Sequence, residues 1–215
     1  MKYKLAIFDF DGTLADSFPF FLTTVNELAD VHKFKRIDSA ELDTLRRYSA
    51  REMLAHVGLP LWKAPLVGRD FKRIMAGKID QIPLFAGVET MLRTLHENGV
   101  ALSVATSNAY ENVRNVLTPE ITDLMVYPQC GTSLFGKPSR LRNILRQTHI
   151  QPNEAIFIGD ELRDMDAAQS EGIHFGAVTW GYTSADALVA RSPAEVFYSM
   201  DEIVKKIVQS AAHSK

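Results

Sequence analysis

Apolar and polar positions fall into two textures along the chain. From residue 84 onward, compact apolar runs at residues 100–106, 155–159 and 175–179, with a shorter one at 124–127, alternate with stretches of helical period. Those stretches cover residues 87–98, 110–117, 140–147 and 163–171. Val88, Met91, Leu92 and Leu95 mark one face of the first; Gly99, Pro119 and Gly172 stop three of them, and Pro138-Ser139 opens the other. Nearly continuous apolar strands separated by helices predict a parallel sheet covered on both faces. The run Leu5–Phe8 adds a strand at the front. Such sheets bind ligands at the carboxyl ends of their strands, which is where Asp9, Thr106 and Asp160 fall.

Residues 16–82 show helical period and no good strand. Ser17 is placed to cap a helix with Phe18, Phe21, Leu22, Val25, Leu28 and Ala29 on one stripe. Asp38-x-x-Glu41 and Ser49-x-x-Glu52 both have capping-box spacing, and Gly58 ends the helix that follows the second. Phe71, Ile74 and Met75 mark a further helix, and the aromatics Phe18, Phe20 and Phe21 read as its neighbours' core. The expected organisation is an α/β core of residues 1–15 and 83–215, with a doubly wound parallel sheet, interrupted by an all-helical domain at 16–82. Residues 210–215 are expected to fray.

Composition narrows the partners. With 24 basic and 26 acidic residues the net charge is −2, so no global basic field recruits nucleic acid or an anionic membrane. The single cysteine, Cys130, excludes an intrachain disulfide and suits a reducing compartment. Lys2 and Lys4 precede an apolar run that Asp9 interrupts too early for a signal h-region, and no apolar stretch approaches the ~18 residues of a membrane span. A cytoplasmic monomer or homodimer acting on a small molecule is expected.

The candidate chemistry begins where Leu5–Phe8 ends. On an extended chain, positions i and i+2 point the same way, so Asp9 and Asp11 are expected to leave one side of the strand end. Two anions about 5 Å apart at an effective dielectric of about 20 repel by about 3 kcal/mol, which a fold tolerates most readily when a cation or a reaction uses the pair. The other reading is a solvated acidic turn, since Asp and Gly are ordinary turn residues. Asp160 and Asp164 bring two more carboxylates to the same edge of the sheet, Asp164 about one helical turn beyond Asp160. Lys137 alone does not balance that charge, whereas a divalent cation does. Hard oxygen ligands on a partly open site suit Mg²⁺. Asp166 is expected to face elsewhere on its helix.

Four segments carry a family resemblance. Asp9-Phe10-Asp11-Gly12-Thr13-Leu14 resembles the first motif of haloacid dehalogenase-like hydrolases, D-x-D-G-T-L in the phosphatase members. Thr106-Ser107-Asn108 after an apolar run is similar to the second motif, although strands end in Thr or Ser routinely. Gly136-Lys137-Pro138 resembles the third, and Gly159-Asp160 through Asp164, with Ala167-Ala168 and Gly172 beyond, the fourth. Val178-Thr179-Trp180-Gly181-Tyr182 resembles a late stretch of phosphoglycolate phosphatase-like members.

The resemblance implies a Rossmann-like core with a helical cap and a Mg²⁺-dependent phosphatase acting on a small phosphorylated metabolite. Asp9 is then the nucleophile forming an aspartyl phosphate, and Asp11 the acid and base. Thr106 and Lys137 stabilise the reacting group. Phe10, Asp11, Thr106, Ser107 and Lys137 bind the phosphate, and Asp9, Asp11, Asp160 and Asp164 hold the metal. A phosphosugar mutase of the β-phosphoglucomutase type and a non-catalytic phosphate- or partner-binding scaffold remain as alternatives. Among the cap lysines Lys33, Lys35, Lys63, Lys72 and Lys78, sequence context singles out none. Arg51, and after it Arg46 and Arg47, are the cap candidates for contacting a remote anionic group of the substrate; a solvated basic face is the competing reading.

Overall fold

The computed structural model describes residues 2–131 and 136–209. Leu5–Phe8 forms β1, followed by helices α1 (Phe18–His32), α2 (Leu42–Leu45), α3 (Ala50–His56), α4 (Ala64–Ala76) and α5 (Val88–Glu97). Then come β2 (Ala101–Val104), α6 (Tyr110–Leu117), α7 (Pro119–Thr122), α8 (Lys137–Thr148), β3 (Ala155–Gly159) and α9 (Leu162–Ser170). The chain continues through β4 (His174–Val178), α10 (Ala185–Val189), β5 (Glu195–Phe197) and α11 (Met200–Gln209).

The strands form one parallel sheet in the order β2-β1-β3-β4-β5. Alternation along β1 sorts its side chains between two cores. Ala6 and Phe8 join the face covered by Val88, Met91, Leu92 and Leu95 of α5 and Ile203 and Ile207 of α11. Leu5 and Ile7 join the face covered by Leu141 and Ile144 of α8 and Met165 and Ala168 of α9. Burial on both faces is why these strands read as unbroken apolar runs. The chain leaves β1 toward β2 on one side and leaves β3 toward β4 on the other. The order therefore reverses between β1 and β3, and a crevice opens at their carboxyl ends.

The helical segment between β1 and α5 has a core of its own, built on Leu28, Ile37, Leu45, Val57, Leu59 and Val67. Its two connections to the sheet run side by side: the Asp16 N–H donates to the Pro83 carbonyl (2.8 Å) and the Phe85 N–H to that of Leu14 (3.0 Å). The Ser49–Glu52 capping box forms as expected.

Several local expectations change. Residues 124–127 do not form a strand; Met125 and Gln129 make only isolated bridges to Leu102 and Ala105. Tyr127 is left-handed (φ 48°), and Pro128 beyond it lacks an N–H for a ladder. Asp38 accepts from the Ala40 N–H (2.9 Å), but Glu41 turns to Lys35 and His56 instead of closing a capping box. Ser17 makes no capping bond to α1, because its hydroxyl meets the Tyr182 hydroxyl (3.0 Å). The expectation for residues 210–215 lies outside the described residues. Among those described, no helix is long and apolar enough to cross a membrane.

Candidate active site

Asp9 follows the last residue of β1, with its N–H bonded to the Ile158 carbonyl of β3 (2.8 Å), so its backbone is fixed by the sheet. A tight turn follows, in which the Phe10 carbonyl accepts from the N–H groups of Thr13, Leu14 and Ala15. Gly12 sits there at φ 76°, and a side chain at this position would overlap the Asp160 carboxylate and approach Tyr182 within 2.5 Å. The turn thus packs its backbone directly against the acid at the end of β3.

Asp160 is fully buried and tightly held. Its Oδ1 accepts from the Thr13 hydroxyl and its Oδ2 from the Tyr182 N–H, both at 2.7 Å. Asp164, one turn into α9, accepts from Lys137 on Oδ1 (2.5 Å), and its Oδ2 accepts from the Glu161 N–H (3.3 Å) at the start of the helix. That placement joins a helix cap to an ion pair and sets carboxylates near a helix N-terminus, where they are favoured. Lys137 lies at the start of α8 and bridges Asp164 and Asp9 Oδ2 (2.7 Å), buried among them. One oxygen each from Asp9, Asp160 and Asp164 lies within 4.8 Å of the others.

The electrostatics of this group are unbalanced. Burial pushes Asp9 up to about 7, against the pull of Lys137 and with the added push of Asp164. Burial, then the charges of Glu161, Asp164 and Asp9, holds Asp160 well above the ordinary carboxylate range. Lys137 is pulled down by burial, but Asp164 and Asp9 outweigh this and raise it above a free lysine. Buried carboxylates that crowd one another take up protons unless a cation replaces them. An all-oxygen donor set with lone pairs left on each carboxylate fits a hard divalent cation.

Asp11 departs from the expected arrangement. Its carboxylate is not part of the converging group; Oδ2 accepts from the Asn108 amide (3.3 Å), and the buried Oδ1 has no protein partner among the described residues. The i/i+2 rule does not apply here because β1 ends at Phe8 and a turn follows. Burial raises Asp11 above its ordinary range, against hydrogen bonds from Ser17 and Asn108.

The other sequence candidates divide clearly. Thr106 follows β2 by two residues, and its hydroxyl oxygen accepts from the Asn108 N–H (3.0 Å), which leaves the hydroxyl proton to donate. The N–H groups of Phe10, Asp11 and Ser107 donate to no acceptor among the described residues. The phenyl ring of Phe10 is fully buried in the core, so only its backbone can serve the site. Arg46 donates to the carbonyls of Tyr182 (3.1 Å) and Gly181, and Arg47 pairs with Asp186 (2.7 Å). Both side chains thereby tie the helical segment to the core. Arg51 is exposed on α3. Asp166 is an exposed partner of Arg191 (2.8 Å), and burial pushes the Cys130 thiol up to about 11, unfavourable for a nucleophile.

Thr13, Asn108, Gly181 and Tyr182 carry contacts that the sequence reading did not assign. Gly181 is required because an added methyl would lie inside the Asp160 side chain. Gly181→Ala is accordingly expected to destabilise the protein by about 1–3 kcal/mol, the usual range for overpacking, and to displace Asp160. Gly68→Ala, in α4 with open space around it, is expected instead to stabilise by about 0.5–1 kcal/mol. Chemical denaturation of both variants checks the contrast.

A reversed parallel sheet with an acid at the end of β1, a lysine at the start of α8 and paired acids after β3 defines one class of protein. The chain belongs to the haloacid dehalogenase-like hydrolase family, whose model matches residues 6–178, and it is an enzyme of that family. Its relatives include the phosphoglycolate phosphatase of Synechococcus elongatus, 29% identical over 204 residues, covering 94% of this chain and 96% of that protein. The phosphoglycolate phosphatase of Xanthomonas campestris is 31% identical over 199 residues, covering 86% and 88%. A haloacid dehalogenase-like hydrolase from Streptococcus pneumoniae shares the fold with a TM-score of 0.79 at 20% identity, covering 95% of this chain and 98% of that one.

Proposed function

We propose that the protein is a Mg²⁺-dependent phosphatase that hydrolyses a small phosphomonoester in two steps through an aspartyl phosphate on Asp9. The observation that carries the reading is the division of labour between the first two acids. Asp9 is fixed against Lys137 within the carboxylate group. Asp11, outside that group, keeps a buried oxygen with no partner among the described residues and a raised affinity for a proton.

In the first step a carboxylate oxygen of Asp9 attacks phosphorus as the bond to the leaving oxygen breaks, and the Asp11 proton passes to that oxygen. In the second, Asp11 takes a proton from water, the water oxygen attacks phosphorus, and the bond to Asp9 breaks to release phosphate. Lys137, the Thr106 hydroxyl and the N–H groups of Phe10, Asp11 and Ser107 hold the phosphoryl oxygens through both steps. Asp9, Asp160 and Asp164 would hold Mg²⁺, which supplies positive charge to the phosphoryl oxygens. Residues 16–82 act as a cap: Met75 Sδ lies 3.7 Å from the Asn108 amide, and Phe18 and Phe21 pack edge-on against Tyr182. The named activity of the relatives supports a phosphoglycolate-like substrate. The lone cysteine supports a reducing, cytoplasmic setting.

Phosphate release from 2-phosphoglycolate and from an aryl phosphate, with Mg²⁺ or with EDTA, tests the reading. Release that requires Mg²⁺ is expected; no release from either ester overturns it, and isomerisation of a sugar phosphate without release would favour a mutase. Metal binding is also expected to depend on pH. The raised Asp9 and Asp160 bind protons more tightly in the folded chain, so the metal-free protein loses stability as pH rises from about 4 through about 7. The gain in Tm from Mg²⁺ over EDTA is therefore expected to be larger at pH 8 than at pH 5. Equal gains at the two pH values would contradict this account of the carboxylates.

A further inference from the structure

Arg46 follows the last residue of α2, Leu45, which is buried in the core of the helical segment, so the Arg46 backbone belongs to that body. Its N–H donates to the Leu42 carbonyl (2.9 Å), and its carbonyl accepts from the Ser184 N–H (2.9 Å). The side chain crosses the same junction. Nε donates to the Tyr182 carbonyl (3.1 Å) and Nη2 to the Gly181 carbonyl, so one edge of the planar guanidinium serves two successive peptides. The guanidinium carbon lies 5.4 Å from the centre of the Phe18 ring, which meets the Tyr182 ring edge-on at 5.1 Å. That face contact helps to hold the fork in place.

The Gly181 carbonyl and the Tyr182 N–H are the two ends of one peptide group. Arg46 holds the first, and Asp160 Oδ2 accepts from the second at 2.7 Å. A cation at the carbonyl end and an anion at the N–H end polarise that peptide in the same sense, so each bond strengthens the other. The Thr183 N–H donates to the backbone carbonyl of Asp160 (3.3 Å), and Gly181 packs against the acid with no room for a methyl. Asp160 is thus oriented from two sides, by Thr13 in the turn after β1 and by a peptide that the helical segment grips.

We infer that Arg46 is a positioning residue for the metal site, acting through the Gly181–Tyr182 peptide to orient the Asp160 carboxylate. The inference rests on the reading of Asp160 as a Mg²⁺ ligand. Groups that hydrogen-bond a metal-binding carboxylate fix its orientation, and losing one commonly weakens metal binding by about 10–100-fold. Here the outermost member of the relay sits on the helical segment, outside the core that carries the acids. Docking of that segment and binding of the metal are therefore linked, and by reciprocity each favours the other. Arg47 provides the comparison, because its pair with Asp186 ties the same segment to the core without touching that peptide.

Calorimetric titration of the substrate-free protein with Mg²⁺ alone tests the inference. Arg46→Met is expected to raise the Kd for Mg²⁺ about tenfold or more, and Arg46→Lys, which keeps the charge but not the fork, to recover part of the loss. Arg47→Met loosens the same junction through an exposed pair and is expected to change the Kd by less than about twofold. An Arg46→Met variant with the parental Kd overturns the inference, as does an equal rise in the Arg46→Met and Arg47→Met variants. If Arg46→Met folds poorly, the parent decides. Mg²⁺ is expected to slow hydrogen exchange at the Ser184 amide, whose acceptor is the Arg46 carbonyl, and unchanged exchange overturns the inference. Failure of the metal reading shows in a parent that binds no Mg²⁺, a result that removes the inference with it. Failure of the Arg46 role alone shows in a parent that binds Mg²⁺ and a variant that binds it equally.

Discussion

Asp9→Asn is expected to reduce phosphate release by at least about a thousandfold while leaving the fold intact, a loss of the size seen when a covalent nucleophile is removed. The backbone at this position is set by the sheet through the Asp9 N–H bond to Ile158, which the amide keeps. Asparagine also has nearly the same volume, so packing of the buried side chain is undisturbed. What it lacks is the negative charge that forms the bond to phosphorus and pairs with Lys137. Steady-state release with 2-phosphoglycolate, alongside a thermal melt within a few degrees of the parent, checks both halves. Turnover at the parental rate, with contaminating phosphatase excluded, would remove Asp9 from the mechanism.

Lys137→Met is expected to damage both stability and activity. The ammonium lies 2.7 Å from Asp9 and 2.5 Å from Asp164, all three side chains being buried. Removing one partner of a buried pair typically costs about 3–5 kcal/mol, because a charge is left uncompensated. Here Asp9 already lies near the point of taking a proton, so the cost is expected at about 3 kcal/mol near neutral pH and less at pH 5. Mg²⁺ is expected to recover part of the stability, since it also neutralises the acids. Activity is not recovered, because the phosphoryl oxygens have lost a fixed donor. Denaturation with and without Mg²⁺ at both pH values separates these effects; a variant as stable as the parent in EDTA would show that the pair carries little of the fold's electrostatic balance.

The sheet was legible because its strands are buried on both faces, which writes them as apolar runs, and because a parallel order needs the helices seen between them. The crevice was legible for the same reason: Asp9 and Asp160 mark the ends of β1 and β3, on either side of the point where the order reverses. The three-residue strand β5 left no periodic signal of its own. Asp11 was misplaced because residue alternation applies to a strand, and the strand had already ended. Arg46 and Arg47 looked available in sequence, but their partners, Gly181, Tyr182 and Asp186, lie more than a hundred residues away. Tyr182 meets the Ser17 hydroxyl and the Phe18 and Phe21 rings over a similar range, and its N–H reaches the Asp160 carboxylate from 22 residues away. Gly181 could have been suspected, since a glycine flanked by two aromatics is an expensive choice unless a close approach demands it.

The claim on which the mechanism turns is that phosphorus is passed to Asp9 before water receives it. Mixing the Mg²⁺-loaded enzyme in excess with ³²P-labelled 2-phosphoglycolate, quenching with acid within the first turnover and mapping the label tests that claim directly. The expected result is an acid-stable, hydroxylamine-labile phosphate on the peptide bearing Asp9, formed and lost at rates that account for turnover. Label on a different residue, or product formed within that first turnover with no label on the Asp9 peptide at any quench time, would contradict it.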